Sequence, residues 1–157
     1  MTRLIISSLL LASCSTALPD SEDGGGDAGS FAGAFLSPDC APDDGAALSL
    51  RLYEVAVPEC SADTDHRVLS FYLFEGATSF LPIEAGETLT SASASGSATA
   101  CPGGEAPCRS GESWSLTFET YAEGTGASGT YTVTFDDGET VSGRFDAAWC
   151  DPGVVCG

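Results

Sequence analysis

Lysine is absent from this chain, and its five cations, all arginine, face 23 carboxylates, for a net charge of −18. A surface of that sign repels polyphosphates and anionic head groups, which excludes DNA, RNA and peripheral phospholipid binding. Histidine occurs once, at His66, and no Cys-x-x-Cys pair occurs, so the spacing of a zinc site is missing. The same scarcity argues against nucleophilic catalysis, which needs a base beside Ser or Cys, and His66 lies outside any strand-turn-helix elbow. No stretch has the period of an amphipathic helix. The glycines at Gly124, Gly126 and Gly129 fall between strand-like runs, where they cannot form a phosphate loop ahead of a helix.

What is present begins at the amino end. Arg3 is followed by an apolar run, Leu4-Ile5-Ile6-Ser7-Ser8-Leu9-Leu10-Leu11, and then by small residues, the order of an export signal. A membrane-spanning helix would need about 20 apolar residues. The run to Leu18 is shorter and is broken by Ser7, Ser8, Ser13, Ser15 and Thr16. Leu11-Ala12-Ser13-Cys14 resembles the lipobox of bacterial lipoproteins. The resemblance implies that Cys14 receives a diacylglyceryl group and becomes the first mature residue. Ser15, in place of an Asp after the lipidated cysteine, implies routing to the outer membrane of a two-membrane bacterium. The alternative is secretory cleavage after Ala17, with Ser15-Thr16-Ala17 as the small residues, which would discard Cys14 and secrete the chain. Each buried methylene contributes about 0.8 kcal/mol, so two or three acyl chains hold a protein on a membrane almost permanently.

On this reading residues 1–13 are a signal peptide that is removed, and residues 14–39 are the lipidated cysteine and a tether. The tether carries Pro19, Asp20, Glu22, Asp23, Gly24-Gly25-Gly26 and Asp27, with almost nothing large and apolar before Phe31. Such a chain cannot bury enough surface to offset its ordering entropy, and its reach is roughly 25–30 Å. Residues 40–157 are expected to form one domain. Setting Cys14 apart from the seven cysteines leaves an even set, Cys40, Cys60, Cys101, Cys108, Cys150 and Cys156. In an oxidising compartment an even set reads as disulfides. Cys101 and Cys108 bracket Pro102-Gly103-Gly104-Glu105-Ala106-Pro107, a loop that brings its own ends together, and are expected to pair. Cys40 with Cys60 and Cys150 with Cys156 form the simplest completion. A link from the amino-terminal half to the carboxyl tail is the alternative.

Within the domain, period-two alternation dominates. Leu48, Leu50 and Leu52 alternate with Ser49 and Arg51, and the apolar phase then slips to Tyr53, Val55 and Val57, which calls for a bulge or a strand covered on both faces. Val68 to Phe74 is apolar almost throughout and predicts a central strand, with Leu69, Phe71 and Leu73 on one side. Phe80-Leu81-Pro82-Ile83 is expected at an edge or in a loop. Thr88 to Ala100 reads as a thin strand or a mobile segment. Trp114, Leu116 and Phe118 alternate with polar residues, as do Tyr131, Val133 and Phe135, and then Val141, Gly143, Phe145, Ala147 and Trp149. Asp136-Asp137-Gly138 joins the last two strands. A two-residue turn would mix the faces. A three-residue loop with Gly138 left-handed pairs Val133 with Val141 and Tyr131 with Gly143.

The fold class expected is all-β, an antiparallel β-sandwich of Ig-like or similar form, with a small β-barrel as the alternative. The Thr-rich strand, Asp-Gly turn, Ser-Gly-x-Phe strand and following Cys resemble domains of small uncharacterised bacterial lipoproteins, a likeness that implies no activity. Asp63, Asp65 and His66 are weak metal candidates; a metal site needs three or four ligands, and they read as a solvated turn, so no metal or other cofactor is assigned. Trp114 and Trp149 share phase with core residues and read as core, not as sugar platforms. The function expected is that of a lipid-anchored cell-envelope protein, non-catalytic, with a structural or protein-binding domain. Its partners would be the membrane, through Cys14, and an envelope or extracellular protein. A carbohydrate- or Ca²⁺-binding module is the alternative, and a hydrolase built on paired carboxylates a distant third.

Overall fold

The computed structural model describes residues 31–42, 45–56, 60, 65–74, 83–153 and 156. The export signal, Cys14, Asp63 and Phe80 to Pro82 lie outside them. Eight strands follow one another: β1 (Gly33–Cys40), β2 (Ala46–Tyr53), β3 (Val68–Phe74), β4 (Thr88–Thr90), β5 (Ser95–Cys101), β6 (Arg109–Ala122), β7 (Gly126–Phe135) and β8 (Thr140–Trp149). No helix occurs among the described residues. Their order is β4-β6-β5-β3-β2-β1-β8-β7, and β7 pairs back onto β6. That last pairing closes seven strands into a barrel, with β4 lying on the edge of β6 that β5 leaves free.

The all-β class is as expected, and the barrel replaces the sandwich. Alternation alone cannot separate the two, because each has one buried and one wet face. Closure comes from strands that bend and approach closely. β6 carries register shifts between Gly111 and Ser113 and between Phe118 and Thr120, and bulges of this kind sharpen local twist. A Cβ at Gly129 would lie 1.8 Å from the Thr117 carbonyl oxygen, so only glycine lets β7 come that near to β6 there.

Inward residues fill the interior. Leu36, Leu50, Leu52, Leu69, Phe71, Leu116, Phe118 and Val133 are all almost wholly buried, each contributing roughly 1.5–3 kcal/mol. Phe71 meets Trp114 and Tyr131 edge to face, with centroids 6.2 and 6.0 Å apart, and Phe118 meets Phe145 at 5.8 Å. Trp149 is half-buried against this core. β3 is flanked on both sides, by β2 and β5, as its apolar run predicts. β2 reaches Tyr53, where the apolar phase slips, and it is covered on both faces there, since Ser49 and Tyr53 are buried as well as Leu48, Leu50 and Leu52. Tyr53 faces outward beneath Phe35, their centroids 6.3 Å apart. Thr88 to Ala100 is two strands with a turn between.

The β7–β8 hairpin has the three-residue loop. Gly138 N donates to the Phe135 carbonyl oxygen and Phe135 N to that of Glu139, and Gly138 has φ +83°. Val133 pairs with Val141 and Tyr131 with Gly143. The Tyr131 ring lies across Gly143, where a Cβ would stand 2.6 Å from its hydroxyl oxygen.

One boundary differs from expectation: β1, Gly33–Cys40, occupies residues assigned to the tether. Its sequence hides it, since the adjacent Phe35 and Leu36 are its only large apolar residues and Pro38 follows two positions on. The strand tolerates Pro38 because Ala41 N bonds to the Gly45 carbonyl oxygen. That phase turns the nitrogen of residue 38 away from β2, beyond the stretch that β8 pairs.

The disulfides are Cys101–Cys108, as expected, with Cys40–Cys156 and Cys60–Cys150 in place of the two sequence-adjacent pairs. β8 runs parallel to β1, pairing Phe35 with Ala148 and Leu36 with Trp149. The chain after β8 therefore continues along β1 toward Cys40, and Cys150 N donates to the Leu36 carbonyl oxygen on the way. Cys40 sits at the β1–β2 turn, whereas the connection bearing Cys60 leaves from the opposite end of β2.

Candidate functional site

Among the described residues, Arg67, Arg109 and Arg144 are held by carboxylates. Arg109, at the start of β6, bonds Glu139 at 2.6 Å and both oxygens of Asp137 at 2.7 and 2.8 Å, and its guanidinium lies 4.4 Å over the Phe135 ring. The Glu139 hydrogen bond leads in raising its pKa, against a smaller opposing effect of desolvation, with the charges of Asp137, Glu139 and Asp136 adding to the rise. Arg67 stands 3.6 Å from Glu54 and 5.3 Å over the Phe31 ring. Arg144 bonds Glu119 at 2.5 Å. These are strand-to-strand clips on a wet surface, each worth little alone. A recess of about 130 Å³ lies at this barrel end between Arg67, Arg109, Phe31 and Phe135. Tyr131, packed edge to face on Phe31, has its pKa pushed up to about 12, chiefly by burial, with Arg67 opposing.

The sequence-derived candidates divide. Asp65 and His66 precede β3 and pack their backbone against the β5–β6 loop, where a Cβ at Gly103 would lie 2.6 Å from the Asp65 carbonyl oxygen. Among the described residues no three His, Cys, Asp or Glu side chains cluster in a way that could hold a metal ion. Asp63 lies outside those residues. Every aromatic ring among the described residues is buried or half-buried. Tyr72 and Phe74, outward on β3, lie against each other at 5.5 Å, and the Tyr72 hydroxyl donates to the Cys40 carbonyl oxygen.

The feature that sequence reasoning missed is the seam between β1 and β8. These two strands pair only at Phe35/Ala148 and Leu36/Trp149. Before that point they part, leaving a slot of about 430 Å³. One wall is Phe31 to Ala34 and the other Arg144 to Asp146, with Ser128 on the rim and buried Leu52 and Phe145 at the floor. Among the described residues nothing pairs with β8 from Thr140 to Ala147 on the side away from β7. The Phe135/Glu139 bond sets the phase of the hairpin. By antiparallel alternation Thr140, Ser142, Arg144 and Asp146 turn their N–H and C=O groups to this open side. A sheet edge beside an apolar floor can accept an extended chain. The slot was illegible because β1 itself was.

No family model, curated protein or solved structure matches this chain.

Proposed function

We propose that this chain is a lipid-anchored cell-envelope protein, fastened by acyl groups on Cys14, whose β-barrel is a non-catalytic binding or structural module. The observation that carries the reading is the division of the barrel into a filled interior and an open edge. Its centre is occupied by Phe71, Trp114, Tyr131, Phe118 and Phe145, so the barrel does not work as a ligand-holding cup. The open hydrogen-bonding groups of β8 offer a protein partner what they do not offer a sugar, and the half-buried aromatic rings are poorly placed as sugar platforms. The carboxylates at the barrel end are engaged by Arg67 and Arg109, which favours a structural role for them over general acid–base work. Three disulfides suit an oxidising compartment, and the lipobox-like Leu11-Ala12-Ser13-Cys14 supplies the anchor.

The test is membrane fractionation of the natural chain beside Cys14→Ser. The natural chain should sediment with membranes and carry a diacylglyceryl mass on an amino-terminal Cys14. Cys14→Ser should lose that mass. A soluble mature chain beginning at Leu18 would overturn the anchor.

A further inference from the structure

We infer that the β1–β8 seam is a docking site for an extended, basic segment of a partner protein, which adds to the barrel as a strand along β8. This rests on the binding role proposed above and names the partner's chemistry. Three observations converge on that occupant. The open groups of Thr140, Ser142, Arg144 and Asp146 demand a chain in β conformation, because only a strand satisfies alternate donors and acceptors in sequence. The floor, Leu52 and Phe145, takes an apolar side chain from every second residue, and about 430 Å³ admits a large one.

The third observation is charge. Arg144 on the rim is matched by Glu119, whereas Asp146 is exposed and has no ion pair among the described residues. The whole chain carries −18, so Lys or Arg at the alternate, outward positions is drawn in and an acidic strand is repelled. The chain's own amino-terminal segment fits poorly. Asp20, Glu22, Asp23 and Asp27 share the sign of the surface, and residues 19–30 offer no large apolar side chain for the floor.

The experiment uses the purified full chain with its disulfides intact, whether or not Cys14 carries lipid, so that failed anchoring and failed docking read out separately. The probe is a short fluorescent peptide alternating Lys with Val, followed by anisotropy at moderate salt. Controls are the same peptide N-methylated at every second residue and a Glu–Val counterpart. The Lys–Val peptide should bind, and the other two should bind at least about tenfold more weakly. Ser142→Pro removes a donor facing the seam without taking one from β7, and should weaken binding about threefold to tenfold relative to Ser142→Ala. If Ser142→Pro does not fold, Asp146→Lys replaces it, and should weaken the Lys–Val peptide while improving the Glu–Val one. Equal binding of the N-methylated peptide would mean charge alone and overturn the proposal. So would cross-links from β8 to residues 15–30 or to a second copy.

Discussion

Tyr131 gathers several constraints in one side chain. Its ring packs on Phe71 and Phe31 and lies across Gly143, and burial raises its pKa to about 12 from an unfolded value near 10. The folded state therefore holds this proton more tightly than the unfolded chain does. Its contribution to stability is complete below about pH 10 and is lost as pH climbs toward 12. Denaturant titrations across that range should show a falling midpoint, and Tyr131→Phe should flatten the fall. An unchanged pH profile in Tyr131→Phe would contradict the assignment. The pairing with Gly143 gives a second prediction. Gly143→Ala puts a Cβ 2.6 Å from the Tyr131 hydroxyl oxygen and should cost about 1–3 kcal/mol in denaturant unfolding, the range for overpacking. Because the hydroxyl is the nearest atom, Tyr131→Phe should recover part of that loss in the double variant, a non-additivity expected of touching residues.

Among the elements, the β7–β8 hairpin was the most legible. Three Thr residues alternating with Tyr131, Val133 and Phe135, followed by Asp-Asp-Gly, leave one loop length that keeps faces aligned, and the structure has it. Gly138→Ala tests the turn apart from packing, since nothing lies within 4 Å of the added Cβ. Strain at φ +83° should cost about 1–2 kcal/mol, and thermal melts should show the loss without a change in core fluorescence. β1 was illegible for the opposite reason. It gains its place from neighbours, β2 along its length and β8 at two positions, and little from its own composition of Gly, Ala, Ser, Pro and Asp. The seam inherits that concealment, because an unpaired edge is a property of two strands that part and neither sequence records it.

At the scale of the molecule, alternation predicted layers but not their closure. Sandwich and barrel have the same period, and the difference lies in long-range pairings such as β6 with β7, aided by close approaches at Gly129. Disulfide connectivity escaped for a related reason: proximity along the chain stands in poorly for proximity in space when β8 returns parallel to β1. The separations of 116 and 90 residues for Cys40–Cys156 and Cys60–Cys150, against 7 for Cys101–Cys108, set an order of stabilisation. On the chain-entropy account the two long bridges contribute about 5 kcal/mol each and the short one about 2. Replacing Cys40 and Cys156 together by Ser should therefore lower the unfolding free energy by more than replacing Cys101 and Cys108.

The central claim is of an exported, oxidised barrel hung on lipid, and one measurement reaches all of it: a non-reducing peptide map by mass spectrometry of the chain purified from membranes. The account predicts peptides joined as Cys40–Cys156, Cys60–Cys150 and Cys101–Cys108, and an amino-terminal peptide opening on acylated Cys14. Free thiols at those six cysteines, or an amino terminus without lipid, would contradict it.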